Sequence, residues 1–295
     1  MDGKDHKAGF VSIIGKPNTG KSTLLNQLVG EKLAIITSKA QTTRHRILGI
    51  VNGKDFQIVY SDTPGFLKPK YELHNSMMRF VNTSLADADL ILYITELGEK
   101  HDPESETVRK LANSNAPIIQ VLNKTDLGKG TQVDDKINYW KEIYPGRQII
   151  PVSALKGTNV DTLLSQIVDL IPQHPPYYPK DEYTDKPERF FAAEIVREKI
   201  FNNYSQEIPY SCEVVIEEFK EDEKIIRMRA LIFVERNSQK GILIGKGGSA
   251  LKKVGIQARK DLENIFGKKV HLETFVKVDS DWRKSKVKLK KYGYN

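Results

Sequence analysis

An eight-residue stretch near the start of the chain reads Gly15-Lys16-Pro17-Asn18-Thr19-Gly20-Lys21-Ser22 and matches the phosphate-loop pattern G-x-x-x-x-G-K-[ST]. The apolar run over 10–14 predicts a buried strand before this loop. The residues over 21–29, with Thr23 in the first turn, predict a helix that ends at Gly30. Backbone N–H groups of such a loop turn toward phosphate oxygens, and the helix N-terminus adds its positive dipole end. We therefore expect Lys21 to contact the β- and γ-phosphates of a nucleotide and the Ser22 hydroxyl to bind Mg²⁺.

The composition indicates a cytoplasmic globular protein. The 295 residues suffice for two domains, and no apolar run has the length of a membrane span or the pattern of a signal peptide. Because Cys212 is the only cysteine, we expect no intrachain disulfide and no cysteine-based structural metal site.

The positive charge is concentrated at one end of the chain. The whole sequence has a net charge of +8, but residues 236–295 contain 16 Lys/Arg and only 5 Asp/Glu. This distribution predicts a polyanionic partner for the C-terminal fifth.

Two regions with different element patterns share the chain. Up to residue 172, strands predicted over 10–14, 47–51, 56–60, 90–95, 118–122 and 149–152 alternate with helices over 21–29, 75–86, 103–114, 133–144 and 160–170. Such alternation predicts an α/β fold, a P-loop domain with a mostly parallel sheet that binds its ligand at the strand C-terminal ends. Four prolines within 172–179 predict a stiff linker. We expect a P-loop domain over 1–172, a Pro/Tyr-rich linker over 173–188, a smaller α+β domain over 189–279 and a basic tail over 280–295.

Three motifs after predicted strands complete the nucleotide site, and two of them concern the guanine base. In Asp62-Thr63-Pro64-Gly65, the carboxylate can hold Mg²⁺ and the Gly65 N–H can approach a γ-phosphate. In Asn123-Lys124-Thr125-Asp126, the Asp126 carboxylate can accept from both N1–H and the amine of guanine, a pair of donors that adenine lacks. The third motif, Ser153-Ala154-Leu155, resembles the S-A-[KL] loop of GTPases, and this resemblance implies that the Ala154 N–H contacts the guanine carbonyl.

A switch segment is expected between the first helix and the second strand. Thr42-Thr43-Arg44 lies there, and GTPases use a threonine at this place to complete the Mg²⁺ shell when γ-phosphate is present. We favour Thr43 over Thr42, so the expected metal ligands are Ser22, Thr43 and Asp62.

These motifs, with Gln41-Thr42-Thr43-Arg44-His45-Arg46 and the glycine-rich stretch over 241–251, closely resemble those of the Era GTPases along nearly the whole chain. The resemblance implies GTP hydrolysis and a role in maturing the small ribosomal subunit, the 30S particle, with binding near the 3′ end of its 16S rRNA. Phe66 follows Gly65 where Ras-type enzymes have a water-orienting glutamine, so we expect slow unaided hydrolysis. In related Era-like proteins an asparagine placed like Asn18 holds K⁺ beside the phosphates, and simple support of the loop turn is the alternative role. The expected catalytic residues are Lys21, Thr43, Gly65 and Asn18.

The C-terminal region has the element order of a type II KH domain. The sequence over 189–278 predicts a helix, two strands, two helices joined by a glycine loop, and a final strand. The G-x-x-G tetrapeptide lies at 245–248, between the last two helices. Such a loop clamps about four nucleotides of backbone, and the bases lie in an apolar groove beside it. Ile242 and Ile244 are candidates for the groove wall, although a core position is the alternative for both. The expected RNA-binding residues are Ile242, Ile244, Gly245, Lys246, Gly247, Gly248, Lys252 and Lys253.

Two other functions stay open at this point. Phe66 is compatible with a nucleotide-gated RNA-binding module that has little turnover. The basic segment over 282–291 is compatible with added RNA attraction or with weak attraction to anionic lipids, so a membrane-linked or cell-cycle GTPase on the inner face of the membrane is the other alternative.

Overall fold

The computed structural model describes residues 6–294. The first five residues, which we assigned to the P-loop domain, and Asn295 of the predicted tail lie outside the described residues. The chain divides into two compact units. Unit 1 comprises Met1–Ala34, Thr43–Lys68 and Met77–Asp185, and unit 2 comprises Ile35–Thr42, Pro69–Ser76 and Lys186–Asn295. No helix in the described part of the chain is long and apolar enough to cross a membrane.

Unit 1 is built on a six-stranded sheet in the order β2-β3-β1-β4-β5-β6. All neighbours are parallel except β2 and β3, which pair in antiparallel fashion. The predicted α/β class with a mostly parallel sheet is therefore confirmed. The apolar runs become strands because helices cover both faces of a parallel sheet and leave most strand positions buried. The strands are β1 (Lys7–Gly15), β2 (Ile47–Asn52), β3 (Phe56–Asp62), β4 (Leu90–Glu96), β5 (Ile118–Asn123) and β6 (Gln148–Pro151).

The described residues of the P-loop half form five α-helices, and local capping explains two of their ends. Gly30 ends the first at φ 81°, as its position in the sequence predicts. The third is shorter than predicted because Ser105 caps it, its hydroxyl accepting from the Val108 N–H at 3.3 Å. The helices are α1 (Lys21–Val29), α2 (Glu72–Ala86), α3 (Glu106–Ala112), α4 (Gln132–Ile143) and α5 (Val160–Leu170).

The proline-rich segment over 173–185 lies along the sheet of unit 1. It forms isolated antiparallel bridges from Gln173 to Lys7 and from Thr184 to Gly49, and the Ile50 N–H donates to the Tyr183 carbonyl at 2.9 Å. The outer edge of β2 thus obtains partners for its backbone groups. The compact unit ends at Asp185, whereas the domain bounds derived from sequence remain a prediction.

Unit 2 contains a three-stranded sheet in the order β7-β8-β9 with helices packed on it. β7 and β8 are antiparallel, and β8 and β9 are parallel. One apolar core joins the first helix, the sheet and the long helix that follows the glycine loop. The elements are α6 (Glu188–Asn203), α7 (Ile208–Ser211), β7 (Glu213–Glu221), β8 (Ile225–Val234), α8 (Asn237–Ile244), α9 (Ser249–Phe266), β9 (Lys269–Val278) and α10 (Lys286–Lys291).

The predicted basic tail is folded over its described residues. Trp282 is fully buried and its indole N–H donates to the Ser211 carbonyl at 3.1 Å. Leu289 and Tyr292 are also buried, and the Tyr294 hydroxyl donates to Glu213 at 2.7 Å. The lysines of this segment stand on its exposed side, apart from Lys288, which pairs with an aspartate. The charge pattern of the sequence did not predict that these aromatic and apolar side chains are buried.

Candidate functional site

The phosphate loop joins β1 to α1 with a backbone that two of its glycines make possible. A Cβ on Gly15 would lie 2.5 Å from the Ile94 carbonyl oxygen. Gly20 has φ +93°, and a Cβ there would lie 2.3 Å from the Asn123 side-chain nitrogen. Only glycine fits at both positions, since real Cβ atoms do not approach so closely.

Lys21 lies beneath the loop. Its Nζ donates to the carbonyls of Lys16 at 2.7 Å and Gly15 at 3.2 Å. Burial lowers the pKa of Lys21 to about 8, while the charges of Asp62 and Glu99 act in the opposite direction. A buried ammonium of this kind gains stabilisation from a phosphate anion.

Three oxygen-bearing side chains that the sequence predicts as Mg²⁺ ligands converge beside Lys21. The Ser22 hydroxyl donates to Asp62 Oδ2 at 2.8 Å, the Thr43 hydroxyl lies 3.3 Å from the same oxygen, and the two hydroxyls are 2.9 Å apart. Asp62 is fully buried, and its Oδ1 accepts no hydrogen bond from the described residues. Burial raises the pKa of Asp62, and Lys21 and the hydroxyls oppose this. Two hydroxyls and a carboxylate with a spare oxygen are ligands that fit Mg²⁺, whose charge would offset the burial.

The two threonines of the switch segment have different partners. Thr43 lies at the Mg²⁺ ligands, whereas the Thr42 hydroxyl bonds to Thr37 Oγ1 at 2.6 Å and to the Lys39 carbonyl at 2.7 Å. The geometry therefore brings Thr43, and not Thr42, to the predicted metal ligands.

The Asp62–Gly65 motif lies against the phosphate loop. A Cβ on Gly65 would come within 2.8 Å of the Pro17 nitrogen, so glycine allows this close approach. The Thr63 hydroxyl donates to the Ile13 carbonyl at 3.2 Å. Pro64 and Phe66 are buried, and the Lys110 ammonium lies 5.4 Å from the centre of the Phe66 ring. Phe66 therefore presents no polar group that could orient a water molecule.

Asn123 connects the phosphate loop to the base motifs. Its Nδ2 donates to the Thr19 carbonyl at 2.8 Å, and its Oδ1 accepts from the Ala154 N–H at 3.0 Å. Because that N–H is engaged with Asn123, its predicted contact with guanine stays a prediction. Asn123 is 1% exposed, so both hydrogen bonds lie in the interior.

The other base-motif residues are also held by specific contacts. The Ser153 hydroxyl donates to Asp126 at 2.5 Å, which orients the carboxylate expected to read guanine. Lys124 pairs with Glu96, also at 2.5 Å, and the Thr125 N–H donates to the Val152 carbonyl at 3.2 Å. Leu155 is 71% exposed, which leaves its side chain available to a bound base.

Asn18 has a left-handed backbone conformation at the top of the phosphate loop, with φ 65°. Asparagine tolerates this region better than most residues do. The conformation is compatible with either predicted role, support of the turn or coordination of K⁺.

The G-x-x-G loop between α8 and α9 presents an open backbone. Gly245, Gly247 and Gly248 all have positive φ, at 72°, 59° and 79°. A Cβ on Gly247 or Gly248 would meet no atom within 4 Å, whereas one on Gly245 would lie 2.6 Å from the Ala250 Cβ. The last two glycines therefore leave space for a ligand, and Gly245 is required by internal packing.

The side chains around this loop divide into exposed and packed ones. Lys246, Lys252 and Lys253 are exposed, and Ile242 is 51% exposed. Ile244 is partly buried against the core of unit 2. Ile242 is thus the better placed of the two predicted groove residues to contact a base.

Sequence reasoning missed two carboxylates at the nucleotide site and one exposed apolar residue on α9. Glu96 ends β4 and Glu99 lies in the loop after it, and they pair with lysines of the two nucleotide motifs. The available sequence signal was their position directly after the strand predicted over 90–95, whereas the sheet order that places β4 between β1 and β5 came from the structure. Ile256 on α9 is 51% exposed, and its apolar character on a polar helix face was the signal there.

Two family models match the chain. One, described as 50S ribosome-binding GTPase, covers residues 10–124, and one described as KH domain covers residues 207–283. They match the halves that contain the phosphate loop and the G-x-x-G loop.

Curated relatives and solved structures match over nearly the full length. The chain is 46% identical to a protein named GTPase Era from Geotalea daltonii, covering 100% of both chains, and 44% identical to GTPase Era from Staphylococcus epidermidis, covering 98% of each. A crystal structure of an Aquifex aeolicus Era variant bound to GDP·AlF₄⁻ is 41% identical with a TM-score of 0.92, covering 98% of this chain and 99% of that one. A structure of Era with MgGDPNP and nucleotides 1506–1542 of 16S ribosomal RNA has the same identity and coverage and a TM-score of 0.91.

Proposed function

This chain belongs to the Era family of GTPases, and we propose that it is a nucleotide-controlled switch that binds the 3′ end of 16S rRNA through its KH domain and assists assembly of the 30S subunit. It is a GTPase that uses GTP and GDP with Mg²⁺. The observation that carries the proposal is the full-length likeness to an Era structure that holds both MgGDPNP and 16S rRNA nucleotides.

Catalysis in this proposal relies on positioning and charge. Lys21 neutralises the β- and γ-phosphates, and Ser22, Thr43 and Asp62 hold Mg²⁺, which supplies positive charge to the phosphate oxygens. The Gly65 N–H approaches the γ-phosphate. The closeness of the three metal-binding side chains, within 3.3 Å of one another, supports this assignment.

Guanine selection is assigned to Asp126, with Ser153 orienting its carboxylate. Replacing Asp126 by Asn exchanges an acceptor for an amide that can donate to the C2 carbonyl of xanthine. We expect Asp126→Asn to weaken GTP binding and to gain binding of xanthosine triphosphate. Calorimetric titration of both nucleotides tests this assignment, and unchanged affinity for GTP in the variant would contradict it.

RNA binding is assigned to the G-x-x-G loop and its neighbours, Ile242, Gly245–Gly248, Lys252 and Lys253. Gly248 offers a test because added atoms there meet open space. Gly248→Asp places a negative charge where phosphates approach, and Gly248→Asn has the same shape without the charge. Both side chains tolerate a positive φ better than most residues.

We expect Gly248→Asp to weaken binding of an RNA with nucleotides 1506–1542 on the order of tenfold more than Gly248→Asn does. Fluorescence anisotropy at one fixed salt concentration measures both affinities. GTP hydrolysis should be the same in both variants. Equal RNA affinities of the two variants would contradict the assignment of the loop to phosphate binding.

Coupling between nucleotide and RNA is assigned to the switch segment. Residues 35–42 belong to unit 2, where the Lys39 ammonium donates to the carbonyls of Phe201 and Tyr204 at the end of α6. Thr43, the next residue after this segment, lies at the predicted Mg²⁺ ligands. We propose that the γ-phosphate, through Thr43 and this segment, raises the RNA affinity of the full chain.

We also propose a cytoplasmic location with 30S particles as the target. The single cysteine of the sequence, Cys212, is buried, and such sparing use of cysteine supports a reducing compartment. Sedimentation with ribosomal particles in low and high salt tests the target. Sedimentation with anionic phospholipid vesicles, and not with ribosomal particles, would favour the membrane-linked alternative, for which the exposed lysines of 284–291 are the supporting feature.

A further inference from the structure

Two carboxylates, one at the end of β4 and one in the loop after it, each pair with a lysine of a nucleotide motif. Glu96 lies 2.5 Å from the Nζ of Lys124 in the base motif, and Glu99 lies 3.2 Å from the Nζ of Lys16 in the phosphate loop. Neither carboxylate has a role in the hydrolysis described above. Glu99 differs from Glu96 in being buried.

The Glu99 side chain is only 4% exposed, against 41% for Lys16. The Lys16 ammonium is the partner of its carboxylate, and no other side chain of the described residues donates a well-formed hydrogen bond to either oxygen. Burial raises the pKa of Glu99, and the charge of Lys16 acts against this rise. A buried carboxylate without hydrogen bonds is unfavourable, so its pairing with Lys16 is the contact that compensates it.

The backbone around Glu99 is fixed from two sides. Its N–H donates to the Glu96 carbonyl at 3.0 Å, and its own carbonyl accepts from the Lys136 ammonium on α4. Two residues on, the His101 N–H donates to the Tyr139 hydroxyl at 2.9 Å. The carboxylate is therefore held in place by the loop and does not follow the motions of a free surface side chain.

Lys16 connects this carboxylate to the phosphate loop. Its carbonyl accepts from Lys21 Nζ at 2.7 Å and from the Thr19 hydroxyl at 3.0 Å, so its main chain is part of the phosphate-binding loop. Its ammonium is engaged with Glu99. Glu99 also acts electrostatically on Lys21. One buried negative charge thus influences two of the cations beside the phosphates.

We propose that Glu99 is a positioning residue that weakens nucleotide binding by holding the Lys16 ammonium and by placing a negative charge beside the phosphate loop. The proposal rests on the assignment of this loop to GTP and GDP. The charge of Glu99 also raises the pKa of Lys21, so nucleotide binding is compared near pH 6.5, where Lys21 is charged with or without Glu99. There the two proposed effects act in the same direction, because phosphates are repelled by the carboxylate and are denied the Lys16 ammonium. Since affinity differences among related complexes arise mostly in dissociation rates, Glu99 accelerates release of GDP.

The test is Glu99→Gln, which keeps the shape of the side chain and removes its charge. An electrostatic effect must grow with the number of phosphates, so GTP, GDP and GMP are titrated in turn by calorimetry. We expect GTP to bind about three- to tenfold more tightly, as for one partly screened unit charge, with a smaller gain for GDP and almost none for GMP. Stopped-flow displacement should show slower release of GDP.

Two controls separate this role from a merely structural one. Glu104→Gln removes a carboxylate whose side chain is 79% exposed further along the same loop, and all three affinities should remain unchanged. In a Lys16→Met background the gain from Glu99→Gln should shrink, because the two residues act as a pair. A structural role would instead lower the melting temperature and change the three affinities by one common factor.

Each outcome decides a separate point. Tightening that increases from GMP to GTP supports the proposal, whereas weaker binding or an equal change for all three nucleotides overturns it. If the parent protein binds neither GTP nor GDP, the assigned nucleotide site itself is wrong. If the parent binds both and Glu99→Gln does not differ from it, only the role of Glu99 is wrong.

Discussion

Asn123 offers a sharp test of how the nucleotide site is assembled. It makes two interior hydrogen bonds, to the Thr19 carbonyl at 2.8 Å and from the Ala154 N–H at 3.0 Å. Asn123→Ala removes both and leaves these two backbone groups without their partner. Because it connects the phosphate loop to a base-binding loop, its loss should loosen both before a nucleotide binds.

The size of the effect follows from these two contacts. A buried backbone group that loses its hydrogen bond costs about 1–3 kcal/mol, so two such groups cost about 2 kcal/mol even when relaxation toward water relieves part of the penalty. Since 1.4 kcal/mol corresponds to a factor of ten, we expect GDP affinity to fall by about 30-fold. Most of this loss should appear as faster dissociation.

Stopped-flow displacement of a fluorescent GDP analogue measures the rate, and calorimetry measures the affinity. Asn113→Ala is the matched control, because Asn113 is an exposed residue of the same unit just after α3. A GDP affinity of Asn123→Ala within threefold of the parent, with Asn113→Ala also unchanged, would refute the bridging role of Asn123.

Three further predictions concern pH, cation choice and stability. Because the pKa of Lys21 is lowered to about 8, its positive charge is complete well below pH 8 and is lost as the pH rises through 8. The affinity for GDP should therefore fall between pH 7.5 and 9.5, and Lys21→Ala should bind GDP weakly at every pH. A GDP affinity of the parent that does not change with pH would contradict the assignment. If Asn18 holds K⁺ beside the phosphates, the parent should hydrolyse GTP faster in K⁺ than in Na⁺ at equal ionic strength, and Asn18→Ala should hydrolyse it at the same rate in both. Equal hydrolysis rates of the parent in the two cations would reject this role. Trp282→Ala should lower the free energy of unfolding, measured by urea titration, by about 3–5 kcal/mol. Val287→Ala, at an 81% exposed position of the same segment, should have little effect. Similar unfolding free energies for the two variants would mean that Trp282 does not anchor the segment.

The sequence predicted the parts of the molecule whose chemistry is local. A phosphate loop needs glycines and a following helix within a few residues, so its pattern is visible in 15–22. The strands were equally visible, because a parallel sheet covered on both faces turns each strand into an apolar run. The choice of Thr43 over Thr42 agrees with the hydrogen bonds of the two residues.

The features that escaped prediction depend on contacts between distant parts of the chain. Glu99 lies 83 positions after Lys16 in the sequence and became a candidate only when the sheet order placed β4 beside β1. Trp282 and Tyr294, which anchor the C-terminal segment, stand in a lysine-rich sequence. Counting the charges of this segment did not indicate that these two side chains are buried. The proline-rich segment was predicted as a stiff linker, and its composition carries no information on the strand edge that it covers.

The central claim is that the nucleotide state controls RNA binding, and one affinity comparison tests it most directly. The full chain is titrated at one fixed salt concentration into an RNA with nucleotides 1506–1542 of 16S rRNA, once with Mg²⁺ and GDPNP and once with Mg²⁺ and GDP. Thr43→Ala, which removes a hydroxyl 2.9 Å from that of Ser22, serves as the control. The account predicts tighter RNA binding with GDPNP than with GDP in the parent and a reduced difference in Thr43→Ala. Equal RNA affinities of the parent with the two nucleotides would contradict it and would leave two tethered domains without a switch.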